Sequence, residues 1–217
     1  GDQNIPLLLW IAYENRLLKE TPRVVEFLNK NSGLALVSGY VLPRVARRLS
    51  STTEAAQLDA CVALLGEAGS LDAKSAVLSG LAQGLKGQSK RAAPNGWAAA
   101  VAGLQEKLNP AARANLLTLS TLFGEQSAVK MAQARAADAK LSTDERVEAA
   151  RALGIAKNNA SVPVLLAILD SKTDNAIGRE CVRALAGHDA KEISHEIIKR
   201  WSVLAAVRVD CLDLLCG

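Results

Sequence analysis

The chain has 217 residues, of which 49% are hydrophobic and only 3% aromatic, and its 26 basic and 22 acidic side chains give a formal charge of +4. So small a basic excess argues against nucleic-acid binding, which a dense stripe of Lys and Arg usually marks. The scarcity of aromatic rings argues against a platform for stacking bases or sugars. No apolar run reaches the roughly 20 residues that a membrane-spanning helix needs, so no transmembrane segment is predicted.

Helical patterns dominate the first part of the chain. Pro43 lies inside one predicted helix and should kink it, because proline has no N–H and its ring crowds the preceding turn. Thr21-Pro22 is predicted to cap and start a helix, and the polar residues 51–54 are predicted to cap another. The predicted helices are 5–18, 21–30, 34–49, 54–67 and 71–85.

A longer surface loop is predicted at about 87–96, where Gly, Pro and polar residues occur together. A helix should follow over 97–108. Asn109 then caps the next helix, with Pro110 at its first position, where proline is tolerated. Polar residues at 142–144 and 173–174 are further N-cap candidates. From here the helices form regular pairs, namely 110–122 with 125–139, 144–156 with 161–170, and 174–186 with 190–201, followed by a last helix at 205–215.

A short pattern recurs in the second half of the chain at a spacing of about thirty residues. Repeats of this length with helical periodicity indicate stacked helix pairs. We therefore predict an all-α fold, a right-handed α–α superhelix of about six to seven helix pairs. It should form a single domain over 1–217, less regular over 1–108 and regular over 110–217, excised from a longer protein. The copies are 145–154, 178–186 and 207–215, with an earlier one at 116–124.

Two segments of the second half resemble HEAT repeats. Residues 144–154 (DERVEAARALG) are similar to the first helix of a unit, and residues 162–169 (VPVLLAIL) to its partner. The resemblance is good across 110–217 and weaker over 1–108. It implies a HEAT/armadillo-like α-solenoid, a fold that by itself says almost nothing about activity.

Two N-terminal stretches resemble a narrower family. Residues 2–10 (DQNIPLLLW) and 40–48 (YVLPRVARR) are similar to parts of large multidomain proteins of planctomycete-type bacteria that are classed as membrane-bound dehydrogenases. In that family a sugar-dehydrogenase-like β-propeller precedes a HEAT-like region, and a c-type haem domain follows. This chain resembles the middle region only. The resemblance implies a periplasmic or membrane-associated location.

The chain lacks the Cys-x-x-Cys-His motif that attaches c-type haem. No cofactor is therefore expected in this domain, and haem or dehydrogenase chemistry would belong to its neighbours. The predicted function is a noncatalytic scaffold or protein-interaction module, whose partners are neighbouring domains of the same protein if the narrower resemblance holds. The alternative is a HEAT-like domain that binds a ligand or nucleic acid on a basic concave face. An enzyme would need a pocket with convergent polar groups, which nothing in the sequence predicts.

The residue types that most often hold metals give only weak signals. The four cysteines form no Cys-x-x-Cys pair. Cys181 and Cys211 fall at the repeat position of Ala149, which favours small buried core residues over ligands or disulfides. His188 and His195 are separated by a predicted turn without a nearby acidic cluster, so they are interpreted as surface or cap residues. No catalytic, cofactor-binding or metal-binding residue is predicted.

Two basic clusters are candidate partner-binding sites. Arg44, Arg47 and Arg48 follow the predicted kink, and Lys90 and Arg91 lie in the predicted loop. The first cluster could contact an acidic partner or a phosphate, and the second could contact a partner domain. The favoured interpretation of the first cluster is an exposed helix face, or arginines paired with carboxylates of the next repeat, and that of the second is a solvated connector.

A second set of arginines recurs with the repeat. We expect these side chains to reach acidic residues of the adjacent unit and so to set the register of the repeats. Their role would be structural. The arginines are Arg146, Arg151, Arg179, Arg183 and Arg208, and the acidic residues available to them are Asp144, Asp174 and Asp210.

Overall fold

The computed structural model describes residues 5–52, 54–88, 90–170, 174–188, 191–202 and 204–216. The fold is all-helical, with 76% of the residues in helices and no strand in the described ranges. This confirms the predicted all-α class. Within the same ranges, none of the helices combines the length and the apolar character needed to cross a membrane.

The described residues form thirteen α-helices that pack against one another. They are α1 (Ile5–Leu17), α2 (Thr21–Asn31), α3 (Leu42–Ser50), α4 (Ala55–Glu67), α5 (Leu71–Gly84), α6 (Trp97–Val101), α7 (Pro110–Leu122), α8 (Gln126–Ala137), α9 (Thr143–Ala156), α10 (Val162–Asp170), α11 (Asn175–Ala186), α12 (Lys191–Lys199) and α13 (Arg208–Cys216).

The chain forms two compact units. Unit 1 contains the residues up to 87 together with 93–116, and unit 2 contains 88–92 together with the residues from 117 onward. Each unit has its own set of buried aliphatic side chains. The single domain over 1–217 stays a prediction.

Unit 1 is centred on α3 and α5, which make its most extensive helix–helix contact. The two helices approach closely because α5 presents glycines to α3. A Cβ on Gly80 would lie 2.7 Å from the Cβ of Ala46, and a Cβ on Gly84 would lie 2.6 Å from the carbonyl oxygen of Arg47. α4 packs against α2, α3, α5 and α6. Trp97, at the start of α6, is almost completely buried in this unit.

Unit 2 is organised around α9 and α11. α9 packs against α8 and α11, and α11 also packs against α10 and α13. Ala149, Cys181 and Cys211 occupy corresponding positions in α9, α11 and α13, and all three are fully buried. Both thiols are free. The prediction that these cysteines are small core residues is confirmed.

A π-helical turn, Val37–Val41, precedes α3 where the sequence predicts a kink at Pro43. The N–H of Leu42 donates to the carbonyl of Val37, five residues earlier. Proline has no N–H for the usual bond to the carbonyl four residues before it, and the wider turn accommodates that loss. The disturbance thus lies in the turn before the proline.

The predicted helix caps are confirmed in the second half of the chain. Asn109 accepts from the N–H of Ala112, Ser142 forms a capping box with Glu145, and Asp174 accepts from the N–H of Ala176. Each side chain satisfies an N–H that the first helical turn leaves without a backbone partner. The companion candidate at 173 lies outside the described residues.

Two predicted caps in the first half are wrong. The hydroxyl of Thr21, which is itself the first residue of α2, donates to the carbonyl oxygen of Leu17 at the end of α1, at 2.8 Å. Ser51 and Thr52 donate to carbonyls at the end of α3 instead, and Glu54, at the N-cap of α4, makes no side-chain cap. Hydroxyl groups bind carbonyls three or four residues earlier as readily as they cap, so sequence alone does not separate the two uses. Position 53 lies outside the described residues.

The helix predicted over 97–108 is also wrong beyond Val101. Ala102 and Gly103 form a turn, in which the N–H of Leu104 donates to the carbonyl of Val101 at 3.1 Å. Gly103 has φ +65°, as the third residue of a type II turn requires. The remaining residues up to 108 are turns, and the new helix starts at Pro110 as predicted.

Candidate functional site

An ion pair between Arg151 and Glu180 joins α9 and α11 of unit 2. Arg151 in α9 donates from Nε to Glu180 Oε1 at 3.1 Å and from Nη2 to Glu180 Oε2 at 3.4 Å. The Glu180 side chain is only 9% exposed, and Arg183 in the same helix also lies 3.5 Å from Oε2. Two guanidinium groups therefore offset the cost of burying this carboxylate. The bond to Glu180 raises the pKa of the Arg151 guanidinium above its ordinary value.

A second ion pair continues the connection from α11 to α13. Arg179 Nε lies 3.6 Å from Asp210 Oδ2, and both side chains are partly exposed. α9, α11 and α13 are thus joined in series by charged side chains. We call the set Arg151, Glu180, Arg183, Arg179 and Asp210 the charge ladder.

The remaining repeat arginines contact backbone atoms. Arg146 donates from Nε to the carbonyl of Ala136 at 3.0 Å, at the end of α8. Arg208 donates to the carbonyl of Trp201 at 3.2 Å, and its guanidinium lies 5.7 Å from the centre of the indole ring. Both side chains point to the segment before their own helix, because the carbonyls at a helix end lack backbone donors. The expected reach to an acidic residue of the next unit is seen for Arg151 and Arg179.

The first predicted partner-binding cluster is largely engaged within unit 1. The guanidinium of Arg44 lies 3.4 Å from the centre of the Tyr40 ring and donates to the Tyr40 carbonyl. Arg48 Nε lies 3.4 Å from Glu14 Oε1 in α1. Arg47 is exposed. Only one member of the cluster therefore presents its charge fully to solvent.

The second predicted cluster, Lys90 and Arg91, belongs to unit 2. The N–H of Arg91 donates to the carbonyl of Leu122 at 3.0 Å, and its guanidinium donates to Gln88 Oε1 at 2.9 Å. Lys90 lies along Gly124, where a Cβ would come within 2.9 Å of the lysine Cε. These contacts attach the loop to the end of α7, in accord with the connector interpretation.

The histidines are separated by their environments. His188 is buried with Nδ1 2.9 Å from the carbonyl oxygen of Ala184, so the interpretation as a surface residue is wrong and the cap position at the end of α11 is right. His195 is exposed on α12. In the described ranges, no three His, Cys, Asp or Glu side chains are grouped to hold a metal ion.

A surface groove of about 460 Å³ lies between α10 and α12. We call it the α10/α12 groove. Its floor contains the buried side chains of Val162 and Leu166, and Pro163 and Ala167 are exposed beside them. The residues lining it are Asn159, Val162, Pro163, Leu166, Ala167, Glu192, Glu196 and Arg200.

Charged residues of α12 and of the turn directly after it border this groove at every fourth position. Glu192, Glu196 and Arg200 follow one another at i, i+4 and i+8 and so share a face of the helix. Arg200 pairs with Glu196. The groove thus combines an apolar floor with a charged edge, a combination typical of binding pockets.

Sequence reasoning missed the α10/α12 groove. Val162, Leu165, Leu166 and Leu169 stand at i, i+3, i+4 and i+7, a spacing that predicts a core stripe, and all four are buried. The missed signal is that Pro163 and Ala167 extend the apolar surface of α10 beyond that stripe. A helix with apolar residues around most of its circumference has a second face to cover.

Unit 2 thus contains a charge ladder that joins α9, α11 and α13, and a groove between α10 and α12, the helices that alternate with them. Neither contains a nucleophile paired with a base in the described residues. No family model, no curated protein and no solved structure matches this chain.

Proposed function

We propose that this chain is a noncatalytic α-solenoid scaffold that docks segments of protein partners in the α10/α12 groove. In this proposal the helix pairs form a right-handed HEAT-like superhelix. The first helices, α9, α11 and α13, are held in register by the charge ladder. The second helices, α10 and α12, are then free to present their surface to a partner.

The single observation that carries the proposal is the apolar floor of the groove beside a charged edge. Exposed apolar surface costs free energy unless a partner covers it, and each Å² buried contributes about 25 cal/mol. The charged residues of α12 can fix the orientation of a bound segment, because misplaced charges weaken a complex. The volume of about 460 Å³ suits a few side chains of a peptide.

The resemblance to multidomain dehydrogenases suggests where the partner comes from. A propeller and a c-type haem domain on either side of the solenoid would make it the element that sets their separation. The docked segment would then be part of a neighbouring domain. Replacing the solenoid by a flexible linker in such a parent protein should uncouple electron transfer while leaving each domain folded.

The alternative of nucleic-acid binding on a basic face has less support. Arg44 and Arg48 are occupied by Tyr40 and Glu14, and two glutamates border the α10/α12 groove. A nucleic acid would meet repulsion at this groove, and its binding would weaken steeply with salt.

Selection from a random peptide library displayed on phage tests the docking role. Peptides enriched on the full chain are measured by calorimetry against the wild type, Ala167→Arg and Ala137→Arg. Ala137 is exposed at the end of α8 and serves as the matched control. We expect Ala167→Arg to weaken binding about tenfold or more and the control to leave it unchanged. Failure to enrich any peptide, or equal affinity for both variants, would overturn the proposal.

A further inference from the structure

A second groove lies in unit 1 between α1 and α2, with a volume of about 510 Å³. We call it the α1/α2 groove. Val24 is buried on its floor, and aromatic rings from both helices meet at its side. The ring centres of Tyr13 and Phe27 are 6.5 Å apart. The lining residues are Ala12, Tyr13, Arg16, Glu20, Arg23, Val24 and Phe27.

Large apolar side chains are exposed at this groove and next to it. Phe27, one of only two phenylalanines in the chain, is 53% exposed. Leu8 and Ile11, which precede the lining residues of α1 in the sequence, are 61% and 52% exposed. Large apolar side chains exposed at a groove mark an interaction site more often than isolated exposed residues do.

The charged residues of the groove have a positive excess. Two arginines, Arg16 and Arg23, and one glutamate, Glu20, line it. The Arg23–Glu20 pair is 3.4 Å long with the arginine side chain 85% exposed, so solvent screens it strongly. No carboxylate pairs with Arg16 in the described part of the chain. A carboxylate on a partner would find an available guanidinium here.

We propose that the α1/α2 groove binds an amphipathic helix of a partner protein that carries acidic residues beside leucine-type side chains. The inference rests on the proposed docking function and names the partner chemistry of a second site. The apolar side chains would cover Phe27, Ile11 and Leu8, and the carboxylates would pair with Arg16 and Arg23. Tyrosine and arginine are the residue types that dominate binding energy at protein interfaces.

A helix fits this surface better than an extended strand. The groove lies between two helices, and neither offers a free backbone edge to which a strand could add. Side chains of a third helix at i, i+3, i+4 and i+7 form ridges that can enter such a groove. Among such helices, the basic residues at the side of the groove favour those that carry acidic side chains.

A synthetic helical peptide of about 16 residues, or four to five turns, is the probe. It carries Leu at i, i+3, i+4 and i+7 and Glu on both flanks, and a second peptide has every Glu replaced by Lys. Fluorescence anisotropy against the full 217-residue chain should show the acidic peptide binding about tenfold or more tightly than the basic one. Its affinity should fall as salt is raised. Equal affinity for the two peptides would overturn the inference.

Two variants locate the binding on the chain. Phe27→Ala should weaken the acidic peptide about tenfold, and Met131→Ala, an exposed apolar residue of unit 2, is the matched control. Arg16→Glu should reverse the preference between the two peptides, and Lys140→Glu, an exposed residue of unit 2 with the same charge change, should not. Both test positions are exposed, so the fold is retained, as circular dichroism would verify.

Other outcomes separate this inference from the docking role of the α10/α12 groove. Unchanged affinity in Phe27→Ala would overturn the α1/α2 site. So would binding to phosphatidylserine vesicles without binding to the acidic peptide, because the exposed leucines would then serve a lipid surface. If phage-selected peptides still depend on Ala167 while the acidic peptide does not bind, the inference fails and the proposed function stands.

Discussion

Gly154 of α9 and Ala184 of α11 are in direct contact, because a Cβ on Gly154 would lie 2.8 Å from the Ala184 Cα. The atoms it would meet belong to a helix backbone and a methyl group, neither of which can turn aside. The two helices are therefore held at a separation that only glycine permits. This contact lies in the same pair of helices that the charge ladder joins.

Replacing Gly154 by alanine should lower the stability of the chain. Overpacking of this kind costs about 1–3 kcal/mol, and it outweighs the gain of about 1 kcal/mol in helix propensity. Gly178→Ala is the matched control, because its Cβ would meet only the side-chain tip of Val207, at 3.0 Å. Urea unfolding followed by circular dichroism should give Gly154→Ala a lower free energy of unfolding than Gly178→Ala. The reverse order would contradict the close packing of α9 on α11.

Arg151→Ala should destabilise the chain by about 1–2 kcal/mol, because it removes two hydrogen bonds from the buried carboxylate of Glu180. The loss stays below that of a fully buried pair, since Arg183 still contacts the same carboxylate. Arg179→Ala should have a smaller effect, because its pair with Asp210 is more open to solvent.

The control for the charge ladder is Arg23→Ala, which breaks an exposed pair in unit 1 and should change stability by about 0.5 kcal/mol or less. Thermal unfolding of the three variants and a double-mutant cycle with Glu180→Gln measure the coupling. If the melting temperatures of Arg151→Ala and Arg179→Ala both equal that of the wild type, the ladder does not stabilise the repeats.

The carboxylate of Glu145 should titrate below its usual pKa of 4.5, because the side chain and backbone of Ser142 donate hydrogen bonds to it, and Arg135 adds a smaller effect. A lowered pKa in the folded state means that the contribution to stability is present above the unfolded value. It is lost as the pH falls through the folded value.

Carbon-detected NMR titration of Glu145 in the wild type and in Ser142→Ala measures this shift. We expect the variant to move the pKa back toward 4.5 and to flatten the dependence of stability on pH below that value. An identical titration curve in the two proteins would show that the capping box does not lower the pKa of Glu145.

In the native chain only Cys216 should react with an aromatic disulfide reagent. It is exposed, whereas the other three thiols are buried. Burial raises the pKa of Cys181 to about 12, and it also raises the pKa of Cys61 and Cys211, so little thiolate forms at neutral pH. Absorbance should report one thiol per folded chain and all four in denaturant. Fast reaction of Cys181 or Cys211 in the native state would contradict the packing of α9, α11 and α13, and fast reaction of Cys61 would contradict the packing of α4.

The helices of the second half could be predicted from sequence because their signals are local. Ser142 and Glu145 stand three residues apart at the start of α9, and Asn109 and Pro110 mark the start of α7. Side-chain caps of this kind depend on neighbours within one turn. The pattern of small residues that includes Cys181 also follows from periodicity alone.

The missed features depend on contacts or conformations that are not local. Glu180 pairs with Arg151, which lies 29 positions earlier. No sequence pattern distinguishes Glu180 from the aspartates that were expected to pair with the repeat arginines. Gly103 follows α6 with a positive φ. A glycine within an alanine-rich helical pattern does not reveal this conformation in the sequence. The α10/α12 groove forms only where the two helices lie side by side, so it is not a local feature of the sequence.

The most direct test of the docking claim is hydrogen–deuterium exchange of the full chain with and without a phage-selected peptide. Saturating peptide should slow exchange in 162–169 and 192–199, the parts of α10 and α12 that border the groove, and the effect should vanish in Ala167→Arg. Protection confined to other segments, or equal protection in the wild type and Ala167→Arg, would contradict the assignment of the α10/α12 groove as the docking site.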